Sequence, residues 1–195
     1  EEASRIAGVK IPCEALYLPD SGSVSPLRLC AAYADGIDIR LNTQLMQDDI
    51  ERAGNGWRVQ GAEYDAVILA CGEGARWFEE TSWLPVHTVR GQIVQASDSG
   101  FADDLACNIC YGGYISPGAD GVHTLGSTFQ KWLTHTDILE EDNDEIIGRL
   151  KDALPDAKEA KIDPEAARAG LRTSAQDRFP IAGTVPDLNA WKMGQ

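Results

Sequence analysis

The sequence predicts a mixed α/β fold, and three stretches carry that prediction. In "SVSPLRLCAAYADG", Ser25 stands as a helix N-cap, Pro26 at the first helical position and Gly36 just past the end, the polarity expected of a helix of about ten residues. "VILACGEGARWFEE", residues 67–80, reads as a buried strand entering a glycine pair and then a helix. "VHTVRGQIVQA" alternates, with Val89, Gly91 and Ile93 on one face and Thr88, Arg90 and Gln92 on the other, so its second face is expected to meet water or a ligand.

The remaining elements follow in chain order. "IDIRLN" alternates Ile37, Ile39 and Leu41 as a half-buried strand does. "LMQDDIER" and "WRVQG" flank Asn55-Gly56, a pair suited to the positive φ angles of a tight hairpin turn. "YDAVILACG" is almost wholly apolar, the pattern of a strand covered on both faces. After Pro85, "YGGYISP" and "GVHTLGSTF" read as strands joined across "PGADG". "EEDNDEIIGRLKDALP" places Ile146, Ile147, Leu150 and Leu154 on one helical stripe, gathers its acids at the start and stops before Pro155, so it reads as a solvated cover on the second sheet. "DPEAARAGLRTSAQDRFPIAGTVPD" is expected to form a short helix, a strand and a proline-punctuated loop.

Composition narrows the function classes. The 195 residues are 43% hydrophobic, enough for a real core, and no apolar run reaches the roughly 18 residues of a membrane span. The balance of 17 basic against 31 acidic residues gives −14, a surface that repels a polyanion unless cations cluster locally. Five cysteines in a chain with no recognisable leader fit reduced thiols and a cytoplasmic setting. Cys107 and Cys110 in "CNIC" have a metal-type spacing, but His87, His123 and His135 show no paired spacing to complete a zinc set, and no metal is expected.

The glycine corner lacks the third glycine of a dinucleotide fingerprint, because Trp77 stands where that glycine would be. No serine sits in a nucleophile elbow, so hydrolase chemistry has no support. The denser signal is "GLRTSAQDRFPIAG", with Arg172 near the end of a strand and Asp177, Pro180 and Gly183 at close intervals after it. An arginine so placed can grip a carboxylate in a bidentate fork; the plain alternative is a surface ion pair on an acidic protein.

"VILACG" before a helix, "VRGQIV" on a strand and "GLRTSAQDRFPIAG" together resemble the D-amino-acid oxidase and glycine oxidase superfamily of FAD-dependent amine oxidoreductases. "YLPDSGSVSPLRLC", "LPVHTVRGQIVQ", "CYGGYISPGADGVHTLGSTF" and "RTSAQDRFPIAGTVPD" resemble, within it, the flavin-dependent half of bifunctional tRNA-modifying enzymes. The resemblance implies a partial FAD-binding Rossmann-like domain interleaved with a mixed-sheet substrate domain. Residues 1–26 would belong to the substrate domain, 27–83 to the middle of the interrupted FAD domain, 84–171 to the substrate domain, and 172–195 would return towards the FAD domain. The N-terminal fingerprint and the glycine-rich C-terminal segment of such a domain are missing, so this piece alone is expected to bind FAD weakly or not at all.

The same resemblance implies oxidative removal of the carboxymethyl group from 5-carboxymethylaminomethyl-2-thiouridine at the tRNA wobble position. A methyltransferase domain would share the polypeptide. Ala70, Gly72 and Gly74 would bring bare backbone near FAD, with Gly183 a further candidate, and Arg172 would clamp the substrate carboxylate. Tyr114 would line the substrate cavity or pack in the core, and Arg90 and Gln92 would face flavin or solvent. Two other readings stay open: a glycine or D-amino-acid oxidase using the same arginine, and a non-catalytic binding module.

Overall fold

The computed structural model describes residues 1–98, 100–119 and 121–186. They form two compact units, one from Glu1–Asp35 with Val89–Leu171, the other from Gly36–Thr88 with the chain from Arg172 onward. The fold is mixed α/β with two antiparallel sheets, one of three strands in the order β1 (Ile50–Ala53), β2 (Gly56–Val59), β3 (Ala62–Tyr64) and one of five in the order β5 (Ile109–Cys110), β6 (Tyr114–Ala119), β7 (Val122–Gly126), β4 (Val86–Asp98), β8 (Ile162–Ala175).

The first unit contains the main core. Helix α1 (Glu2–Ala7) and helix α3 (Glu140–Ala153) pack on strands β4 (Val86–Asp98), β5 (Ile109–Cys110), β6 (Tyr114–Ala119) and β7 (Val122–Gly126). Val94, Ile115, Leu125, Ile146 and Leu150 are 2% exposed or less. Burying each such side chain stabilises by about 1.5–3 kcal/mol. The stripe expected on α3 is therefore its core face, with Leu154 continuing it. The two expected strands pair antiparallel, but β6 runs on through Pro117 and Gly118 to Ala119, which pairs with Val122. Helix α2 (Pro26–Tyr33) also forms where Ser25 and Pro26 place it, the Ser25 hydroxyl accepting from Arg28 N at 3.5 Å, yet it buries none of its residues.

Tyr111 packs against this core with its phenol buried and, among the described residues, without a hydrogen-bond partner. Burial pushes its pKa up, while the Arg149 charge pulls the other way. A raised phenol keeps its proton in the folded state after the unfolded chain has lost it, so its contribution is intact below about pH 10 and is lost as pH rises above that value. Tyr111→Phe is expected to hold or raise stability at neutral pH and to flatten the alkaline limb of a thermal-melting series. An unchanged limb would remove the phenol from that role.

In the second unit, β1 (Ile50–Ala53), β2 (Gly56–Val59) and β3 (Ala62–Tyr64) make a meander. The expected hairpin exists with its turn one residue earlier. Ala53 pairs with Gly56, so Gly54 (φ 59°) and Asn55 form the turn and Gly56 opens the next strand. Gly56 is required there because a Cβ would come within 2.4 Å of the Tyr64 carbonyl oxygen.

Four expectations fail, one of them the helix after the glycine pair, where Gly72–Trp77 and Glu79–Thr81 are short 3-10 turns. Residues 37–42 and 66–71 are not strands: no ladder forms along them among the described residues, and Ile39, Leu41 and Ile68 are 54%, 79% and 88% exposed. An apolar or alternating pattern becomes a strand only where a neighbour supplies the other half of the ladder. The short helix expected at 163–170 is instead part of one 14-residue strand, β8 (Ile162–Ala175). Sheet pairing overrides the helix preference of its alanines, and its edge position accommodates Pro164.

Candidate functional site

The site expected around Gly72 and Arg172 lies in the second unit. Cys71 leads into a 3-10 turn over Gly72–Trp77, and Gly74 N donates to Cys71 O at 3.1 Å. Gly72 has φ 60°, and a Cβ on it would stand 2.7 Å from the Thr173 hydroxyl oxygen. A residue without a side chain is thus demanded at this corner, because Thr173 fills the space a Cβ would take. Ala70, Cys71 and Gly72 are exposed. The residues present fit close approach of a dinucleotide to the main chain at 70–72.

Gly74 and Gly183 have less specific reasons to be glycine. A Cβ on Gly74 would make ordinary contacts of 3.6–3.7 Å with the Cys71 side chain, and one on Gly183 would meet open space. Gly72→Ala is expected to cost about 1–3 kcal/mol, from a left-handed backbone and the Thr173 collision together. Adding Thr173→Ala should recover only the collision part. Chemical denaturation of the two variants checks this, and full recovery would show that the φ angle carries no strain.

Arg172 is exposed on β8, and alternation along the strand sets it on the face opposite Thr173. The segment after it is fixed locally: Arg178 N donates to Ala175 O at 3.1 Å, Phe179 N donates to Asp177 Oδ1 at 3.0 Å, and Arg178 takes φ 67°. Asp177 is therefore a turn-former. Beside this turn lies a cavity of about 410 Å³ lined by Pro85, Ala175, Gln176, Asp177 and Ile181.

Tyr114, in the first unit, is half-buried, and its ring spans the cross-strand partner Gly126, where a Cβ would come within 2.6 Å of the phenol oxygen. It fills the space glycine leaves on the sheet.

Arg90 and Gln92 do not face solvent or a ligand surface, since both are fully buried. Arg90 Nη1 donates to Asp142 Oδ2 at 2.5 Å and to Gln130 Oε1 at 2.6 Å, while Nη2 donates to Gln92 Oε1 at 2.8 Å and to Asp137 O. Gln92 Nε2 donates to Leu139 O and Asn143 Oδ1, and Gln130 Nε2 to Asp142 Oδ1. The polar face of β4 is covered by the start of α3 and the segment before it, which take both Arg90 Nη atoms and the Gln92 amide and leave Arg90 Nε without a partner among the described residues. Period-two alternation cannot distinguish such a buried network from a wet face; the only sequence cue was Asp142 in the helix's first turn, on the side of Ile146.

Cys107 and Cys110 are free thiols. Among the described residues no group of three or more His, Cys, Asp or Glu could hold a metal ion. No helix among them is long and apolar enough to cross a membrane.

Residues 1–193 match the family described as FAD dependent oxidoreductase. The chain is 32% identical over 194 residues to the tRNA 5-methylaminomethyl-2-thiouridine biosynthesis bifunctional protein MnmC of Methylobacillus flagellatus, covering 96% of this chain and 30% of that protein. It is 30% identical to the protein of the same name from Shewanella amazonensis, covering 97% and 30%. The chain thus spans about 30% of the length of these curated relatives. Glycine oxidase from Geobacillus kaustophilus shares the fold with a TM-score of 0.59 and 22% identity, over 71% of this chain and 39% of that one. L-amino acid deaminase from Proteus vulgaris gives a TM-score of 0.53 at 22% identity, over 80% and 41%.

Proposed function

The chain belongs to the FAD dependent oxidoreductase family, and from that premise we propose that it is part of a flavoenzyme that removes a carboxymethyl group from a wobble-uridine amine in tRNA. The observation that carries this reading is the match, along nearly the whole chain, to bifunctional proteins named for tRNA 5-methylaminomethyl-2-thiouridine biosynthesis. A methyltransferase domain in the same polypeptide is part of the proposal.

FAD, when bound, accepts a hydride from the carbon between nitrogen and carboxylate. The secondary amine becomes an imine, and water splits it into a primary amine and glyoxylate. In this reading Arg172 holds the carboxylate through two parallel N–H···O bonds, which fixes the orientation of the carbon that is oxidised. Main chain at Ala70, Gly72 and Gly74 would hold the cofactor, with Gly183 a further candidate contact. No base is assigned. The substrate amine reacts neutral, and a dry surround favours that form by penalising its charge.

The test is flavin bleaching by the full-length protein without oxygen. RNA bearing the carboxymethylaminomethyl group should bleach the flavin, and the same RNA without the carboxymethyl arm should not. Bleaching by glycine or D-amino acids alone would assign the simpler amine oxidase, and a full-length protein that takes up no flavin would leave the non-catalytic module.

A further inference from the structure

The described residues of the second unit include Arg40, Arg52, Arg58, Arg76, Arg172 and Arg178 and no lysine. Arg40 pairs with Asp38, Arg58 pairs with Glu51 and Glu63, Arg52 lies 4.2 Å over the Trp57 ring, and Arg76 donates to Val86 O. Arg172 is engaged within the chain. Among the described residues, the Arg178 side chain alone of these has no hydrogen bond, ion pair or ring contact. Its position does not ask for an arginine either. Arg178 N donates to Ala175 O and Phe179 N donates to Asp177 Oδ1, so the turn is fixed on both sides of it, and its φ of 67° is left-handed. Glycine or asparagine would take that backbone more easily.

The same turn walls the cavity of about 410 Å³: Ala175, Gln176 and Asp177 precede Arg178 in the chain and Ile181 follows it. That volume lies within the range of small-molecule sites, about 300–1,000 Å³. Its wall joins the apolar surface of Pro85, Ala175 and Ile181 to the polar groups of Gln176 and Asp177. An enzyme that alters a base takes it out of the stack into a pocket, and the flanking phosphates stay at the rim. A chain of net charge −14 repels phosphate wherever its cations are already neutralised, so contact is confined to a cation that is not. We propose that Arg178 meets one phosphate of the nucleotide whose base enters this cavity, and so makes the site prefer a nucleotide to a free amino acid. A guanidinium suits that task because its fork matches two phosphate oxygens. The inference rests on the RNA reading given above and names the residue that recognises the nucleotide as one.

The experiment uses the full-length, flavin-loaded protein and two probes, 5-carboxymethylaminomethyl-2-thiouridine as the nucleoside and as its 3′,5′-bisphosphate. Kd is measured by isothermal titration, and release of glyoxylate is followed separately. The parent should bind the bisphosphate about 10- to 150-fold more tightly than the nucleoside. Arg178→Asn keeps a left-handed turn and should bring the two Kd values together by weakening the bisphosphate alone. Arg178→Lys should retain part of the difference, as a point charge without the fork. The melting temperature of Arg178→Asn should equal or exceed the parent's, because a strained backbone position is relieved.

A merely structural arginine would give the opposite pair of results, a lower melting temperature and an unchanged preference. Equal Kd values for the two probes in the parent overturn the proposal, as does a parent that binds neither, or a bisphosphate preference that survives Arg178→Asn. If the preference disappears in the variant and no glyoxylate forms with the parent, the phosphate contact stands and the proposed reaction falls. If glyoxylate forms and the variant keeps the parent's preference, the reaction stands and the contact falls.

Discussion

Asp142→Ala is expected to destabilise the protein by about 3–5 kcal/mol, because it leaves the Arg90 guanidinium charged and uncompensated in the interior. Arg90 is fully buried and Asp142 is 2% exposed. The carboxylate also accepts from Gln130, so its loss strands two donors. The paired substitution Arg90→Met with Asp142→Leu should recover most of the loss, since apolar groups of similar volume often replace a buried ion pair without penalty. Chemical denaturation of the single and double variants measures both. A single variant within about 0.5 kcal/mol of the parent would mean that water reaches the guanidinium and that the network is not closed.

Arg172→Lys is expected to leave stability and flavin content unchanged and to raise KM for the carboxymethylated substrate about 10- to 100-fold. A lysine is a single point charge and cannot reproduce the planar fork that aligns both carboxylate oxygens. Because Arg172 is exposed on β8, its replacement opens no cavity. A substrate analogue lacking the carboxylate should react equally poorly with both proteins. Equal KM for parent and variant on the carboxymethylated substrate would remove Arg172 from its assigned role.

Much of the fold was legible because local chemistry and tertiary structure agree. Ser25 and Pro26 start α2, Ile146 and Leu150 set the buried face of α3, and β6 and β7 pair antiparallel as their patterns ask. The failures share one physical cause: a strand is defined by its neighbour as much as by its residues. Residues 66–71 have the composition of a central strand and no ladder, while residues 163–170 have the composition of a helix and become β8 through pairing. The hairpin turn moved by one residue because Gly56 is needed where Tyr64 approaches, which one strand's sequence does not reveal.

The need for glycine at position 72 was legible, and the 2.7 Å approach of Thr173 supplies a packing reason for it; contact with a cofactor there belongs to the proposal. The burial of Arg90 and Gln92 was not legible. Their polarity pointed to a ligand or solvent, and the partners that bury them lie 40 to 52 residues on in the sequence, at Gln130, Asp142 and Asn143.

The claim on which the functional account depends is the reaction itself. Incubating the full-length, flavin-loaded protein with tRNA bearing 5-carboxymethylaminomethyl-2-thiouridine, then digesting to nucleosides and weighing them, tests it most directly. The account predicts loss of the carboxymethyl mass from the wobble nucleoside with glyoxylate formed in equal amount; an unaltered nucleoside from protein whose flavin is intact would contradict it.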